Sequence, residues 1–140
     1  IEKNLIKNKF DKIYIDRSNS ESKKNATRGI LNENELKSFL KNNGFKFIRL
    51  HEISFSNQIN IFNNAKIIIG LHGAGFANIS FCKPGTRIIE LKTAGGRKVI
   101  ENIAINNKLN FHSLELISQK YENNQDGLIT ISLNEVKKII

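Results

Sequence analysis

Short apolar runs alternate with helix-periodic polar stretches along most of the chain. Lys12 to Asp16 (KIYID) reads as a first strand. Residues 18 to 29 are polar and unperiodic, which predicts a loop. Asn32 then caps a helix whose buried stripe is Leu36, Phe39 and Leu40, with Glu35 three residues after the cap and Gly44 ending it. Phe45 to Leu50 alternates as a second strand, and Ser56 caps a helix presenting Ile59 and Phe62. Lys66 to Gly70 (KIIIG) is continuously apolar, as in a strand buried on both faces of a parallel sheet. The stretch LHGAGFANISF predicts a tight turn and short helix. Pro84-Gly85 breaks the chain before a buried strand, Arg87 to Leu91. A helix over 96–108, a strand over 109–116, a loop over 119–127, a short ITISL strand and a helix from Asn134 to Ile140 complete the pattern. Five strand-helix steps predict a doubly wound α/β fold, one domain across residues 1–140, with no internal repeat or heptad.

The absence of methionine and the start at Ile1 give the expectation of a fragment of a longer protein, with Ile1, Leu5 and Ile6 as the tail of a helix begun upstream. Formal net charge is +9, from 22 Lys+Arg against 13 Asp+Glu. That balance suits nucleic acid, anionic membranes or phosphorylated ligands. It equally suits solvated lysines in a Lys-, Asn- and Ile-rich composition. The five arginines (17, 28, 49, 87 and 97) are the sharper clue, because a guanidinium matches phosphate geometry. Cys82 is the single cysteine, so no internal disulfide forms and a reducing, cytoplasmic setting is expected. No apolar run reaches the length of a membrane helix, so any membrane association is expected from regions outside the chain.

Ligands of open parallel sheets sit beyond the carboxyl ends of the strands. Arg17-Ser18 follow the first strand there, and His72-Gly73-Ala74-Gly75 follow the third. Glycines let the backbone approach an anion, and the N–H groups of a helix start attract it. His72 can donate to the same oxygens or serve as a structural hydrogen bonder. Arg17 and Arg28 can each offer a fork to a diphosphate; a salt bridge for Arg17 and plain solvation for Arg28 are the alternatives. Glu90 interrupts an apolar strand, where a carboxylate must face a ligand, such as a ribose, or be ion-paired. Asn78 and Gln58 are supporting candidates that bond either the turn or the ligand.

Several chemistries fit poorly. The glycine spacing is neither GxGxxG nor a P-loop, and no GxSxG elbow is present. His51, His72 and His112 lack metal-ligand spacing, and no Asp-x-Asp pair offers to carry a divalent ion. No bound metal or cofactor is therefore expected. No nucleic-acid motif accompanies the basic loop, so no nucleic-acid partner is expected, although a basic interaction module or a non-catalytic nucleotide-binding domain stands as the alternative to an enzyme.

The strings YIDRS (Tyr14 to Ser18), ILNENEL (Ile30 to Leu36) and AKIIIGLHGAGFANISFCKPGTRIIEL (Ala65 to Leu91), with Gln58, resemble the C-terminal part of glycosyltransferase family 61 over roughly residues 10–117. Plant xylan glycosyltransferases, eukaryotic protein O-linked N-acetylglucosaminyltransferases and bacterial capsular-polysaccharide relatives belong to that family. The resemblance implies the Rossmann-like C-terminal half of a GT-B enzyme, binding a UDP-linked nucleotide-sugar donor without a metal. It implies inverting transfer of a hexosyl or pentosyl group to a polysaccharide or other glycan held by an N-terminal domain outside this chain. Arg17, Arg28 and the turn His72 to Gly75 align with its diphosphate contacts, and Glu90 with its acidic strand-end residue. Asp16 and Phe76 depart from the common Ser and Leu, and Thr27-Arg28 stands where two arginines are frequent. No catalytic base is assigned within the chain.

Overall fold

A computed structural model describes residues 9–18, 28–95, 97–116 and 127–140. The expected upstream helix tail and most of both polar loops lie outside the described residues.

Among the described residues, five parallel strands form the main sheet: β1 (Lys12–Ile15), β3 (Lys46–Ile48), β4 (Ile67–Leu71), β5 (Arg87–Thr93) and β6 (Asn110–Leu116). Their spatial order is β3-β1-β4-β5-β6. The chain moves outward from β1 to β3, then returns past β1 to β4 and continues the other way. The topological switch point therefore falls between β1 and β4. In doubly wound sheets this is where ligands bind. The fold is α/β and Rossmann-like, as the alternating pattern predicts.

Period-two alternation divides the central strands between two cores. On one face Ile13, Ile15, Ile68 and Ile88 pack with Ile61 and Phe62 of helix α2 (Phe55–Asn64), Phe76 and Ile79 of a 3₁₀ helix (Ala74–Phe81), and Ile100 and Ala104 of α3 (Val99–Asn106). On the other, Tyr14, Ile69, Ile89 and Leu91 pack with Leu36 and Leu40 of α1 (Glu33–Asn42) and Val136 of α4 (Leu133–Ile139). The KIIIG run is apolar throughout because Ile68 and Ile69 feed opposite cores.

Three expectations change in detail. Helix α2 follows Ser54 rather than Ser56 and buries Asn57, Ile61 and Phe62 instead of Ile59. Asn32 precedes α1 but makes no side-chain cap bond. Its amide instead clasps the C-terminal segment: Nδ2 donates to the Ile131 carbonyl at 2.8 Å and Oδ1 accepts from the Ile131 N–H at 2.9 Å. Arg28 and Gly29, placed in a loop by local pattern, form strand β2 (Arg28–Ile30) with Ile30, and it pairs in parallel with β7 (Gly127–Ile129). That strand replaces the expected ITISL strand. Its partner lies about a hundred residues away, beyond the reach of local periodicity.

Candidate functional site

The ends of β1 and β4 build the site. Ile15 and Gly70 are register partners, and a Cβ on Gly70 would lie 3.1 Å from the Ile15 Cβ. The missing side chain lets the two strands close at the switch point beneath the turn. Arg17 then leans across: its Nη1 donates to the His72 carbonyl at 3.3 Å. Gly73 faces the same guanidinium, since a Cβ there would stand 3.4 Å from Nη1. The first bond of the following 3₁₀ helix runs from the Phe76 N–H to the Gly73 carbonyl at 3.1 Å. The N–H groups of Ala74 and Gly75 thus precede the helix's own ladder, and both residues line one hollow with Arg17. Gly75 is confined from below, because a Cβ would come within 2.8 Å of the Leu50 Cδ1.

This turn borders two hollows. One, of about 200 Å³, is lined by Asp16, Arg17, His51 and Gly73 to Phe76 over an apolar base that includes Ile15 and Leu50. The other, of about 270 Å³, lies toward α3 and is lined by His72, Gly73, Ala74, Arg97, Val99 and Ile103 among others. Gly73 and Ala74 belong to both walls.

Asp16 fixes the turn that carries Arg17. Its carboxylate is 3% exposed and accepts from the Ser18 N–H at 2.8 Å, Lys37 Nζ at 3.0 Å and Arg49 Nε at 3.4 Å. Burial pushes its carboxyl upward, but the Ser18 N–H and the Lys37 ammonium outweigh it and hold the group below the usual value. Ser18 contributes here through its backbone. The sequence signal for Asp16 was a charged residue directly after a buried strand; His51 and Arg97 carried no comparable signal.

Glu90 sits on the floor behind the turn. It is fully buried, and its Oε1 meets His72 Nδ1. Lys92, 3% exposed, places Nζ 4.0 Å from Glu90 Oε2 and 3.3 Å from Glu115 Oε1. With no exposed surface, the Glu90 carboxylate faces His72 and Lys92. Gln58 and Asn78 likewise turn to the protein. Asn78 Nδ2 donates to Gln58 Oε1 at 2.8 Å, and Gln58 Nε2 donates to the carbonyls of Leu50 at 2.8 Å and Ile53 at 3.2 Å. The pair ties the loop carrying Leu50 to the helix after the glycine turn. Arg28 lies in β2, and its side chain falls outside the described residues.

The family model for glycosyltransferase 61 matches residues 2–89. The chain belongs to glycosyltransferase family 61. The matched stretch of this family 61 chain runs from before β1 into β5 and contains Arg17 and the whole His72 to Gly75 turn. The chain is similar to the EGF domain-specific O-linked N-acetylglucosamine transferase of Bos taurus, 32% identical over 82 residues, which covers 55% of this chain and 16% of the relative. The similarity to the Gallus gallus protein of the same name is 36% over 69 residues, covering 46% of this chain and 13% of the relative. The chain therefore corresponds to a small part of either relative. Among the described residues, no helix is long and apolar enough to cross a membrane.

Proposed function

We propose that this family 61 chain is the donor-binding domain of a glycosyltransferase, the C-terminal half of a GT-B enzyme, and that it grips the diphosphate of a UDP-linked sugar. The observation that carries the reading is the meeting of Arg17 with the His72 to Gly75 turn at the β1/β4 switch point. A guanidinium and unladdered N–H groups around one hollow suit an anion with several oxygens. Arg17, Gly73, Ala74 and Gly75 hold the diphosphate, with His72 at the same edge; Ser18 shapes the Arg17 turn and Arg28 adds a further cation. The relatives' names make UDP-N-acetylglucosamine the first donor to try.

In the proposed reaction an acceptor hydroxyl, deprotonated by a base outside this chain, attacks the anomeric carbon in line and inverts it. The bond to the diphosphate breaks, and negative charge develops on the leaving oxygen. Arg17 and the Ala74 and Gly75 N–H groups stabilise that charge from fixed positions, without a metal ion. A glycan or polysaccharide acceptor, such as a capsular polysaccharide, is held by the N-terminal domain. Calorimetric titration with UDP, GDP and CMP tests the reading. UDP is expected to bind with an affinity on the order of micromolar to millimolar; binding by none of the three overturns it.

A further inference from the structure

A third strand brings a further cation to the glycine turn. β5 ends at Thr93, and the Ala94 N–H extends its ladder by donating to the Leu116 carbonyl at 2.8 Å. Gly95, at φ 79°, then turns the chain through the left-handed region that glycine enters without strain. Helix α3 begins at Val99 and is fixed to the core by Ile100 and Ala104. Arg97 is carried between these two anchors and lines the larger hollow with His72, Gly73 and Ala74.

The other arginines whose side chains are described are engaged within the protein. Arg17 donates to the His72 carbonyl, Arg49 meets Asp16 and Glu52, and Arg87 donates to the Ile139 carbonyl. Arg97 makes no hydrogen bond or ion pair among the described residues. Its guanidinium keeps its charge near neutrality, and no carboxylate lines its hollow. The wall toward α3 is apolar, from Val99, Ile100 and Ile103. A cation, a glycine turn and an apolar wall in one concavity suit a ligand that is anionic at one end and flat and apolar-faced at the other. Arg97 and this wall lie beyond residues 2–89, which the family model matches, whereas Arg17 and the turn lie within them.

We infer that Arg97 is a donor-binding residue and that its hollow takes the nucleoside end of the donor, which orients the ligand across the turn. The inference rests on the donor-binding reading. Gly73 and Ala74 belong to both hollows, so a diphosphate over them has a guanidinium on either side. The phosphate attached to the ribose lies toward Arg97, with the base against Val99 and Ile103. The other phosphate, which carries the leaving oxygen, lies toward Arg17. The sugar extends over the hollow lined by Asp16 and His51.

The experiment is calorimetry of the full chain with UMP, UDP and inorganic pyrophosphate, with thermal melts in parallel. Arg97 is exposed and Val99 is 50% exposed, so Arg97→Ala and Val99→Trp are expected to melt close to wild type. Arg97→Ala is expected to weaken UMP and UDP alike by about tenfold, the scale of one charge-assisted contact. Arg97→Lys recovers part of that loss, because it keeps the charge without the fork. Arg17→Ala weakens UDP but leaves UMP nearly unchanged. Val99→Trp fills the nucleoside hollow and weakens UDP far more than pyrophosphate. A wild-type UDP affinity in either Arg97→Ala or Val99→Trp overturns the inference and leaves the donor reading standing. The same follows if Arg17→Ala loses UMP while Arg97→Ala keeps it. Binding of no nucleotide by the wild-type chain overturns the donor reading and the inference with it.

Discussion

Arg17, at the end of β1, donates from Nη1 to the carbonyl of His72 at the end of β4 across 3.3 Å. Two residues separated by 55 positions in sequence thus form one polar surface at the switch point of the sheet. Arg17→Ala is expected to weaken UDP binding by at least about tenfold, the scale of one lost charge-assisted contact of roughly 1.5–3 kcal/mol. Lys at this position retains the charge but not the fork, so Arg17→Lys should recover only part of the affinity. Parallel calorimetry and thermal melts separate this binding loss from unfolding.

Gly73 separates steric room in the protein from room for a ligand. Its backbone is nearly fully extended, which any residue adopts, and an added Cβ meets Arg17 at ordinary contact distance, 3.4 Å. Gly73→Ala should therefore melt within a degree or two of wild type, roughly the scale of a neutral surface change, yet lose UDP binding because the methyl group occupies the approach beside the guanidinium. A variant that melts normally and binds UDP as well as wild type would show that the diphosphate does not approach Gly73.

Gly70 behaves in the opposite way. A Cβ there would press on the Cβ of Ile15, 3.1 Å away, and on the Phe76 ring at 3.4 Å, all within the core. Since Ile15 meets it so close to the backbone, side-chain rotation gives little relief. Gly70→Ala is expected to destabilise by about 1–3 kcal/mol in urea denaturation, the usual cost of overpacking.

Asp16 predicts an acid-side loss of stability. Its carboxyl is held below the ordinary value of 3.8 in the folded chain, despite the opposing effect of burial, by Ser18 and Lys37. A depressed folded value means the contribution is fully present above the unfolded value and fades as pH falls through the folded one. The stability gap between wild type and Asp16→Asn should thus be largest at neutral pH and shrink as pH drops below 3.8. Thermal melts over that range check it; a gap that widens toward acid would contradict the assignment.

Much of this arrangement was legible in the sequence because it is written locally. Ile68 and Ile69 announce a strand buried on both faces, and Leu36 with Leu40 announces a one-sided helix. The HGAG turn between a strand and a helix marks the candidate site, and the YIDRS strand end marks the arginine beside it. What the pattern missed is non-local. Asn32 reads as a helix cap, yet its amide bonds Ile131 across 99 positions. Glu90 reads as a carboxylate in need of a partner, but strand spacing alone does not say whether that partner is a ribose or the imidazole of His72. Lys92 is one lysine among many by composition, and only its burial beside Glu90 distinguishes it.

The central claim is tested most directly by a crystal structure of the chain with UDP bound. The account predicts the diphosphate at the β1/β4 switch point, with oxygens within hydrogen-bond distance of the Arg17 guanidinium and of the Ala74 and Gly75 N–H groups. A nucleotide bound at another edge of the sheet, with Arg17 still turned to the His72 carbonyl and no phosphate beside it, would contradict the account.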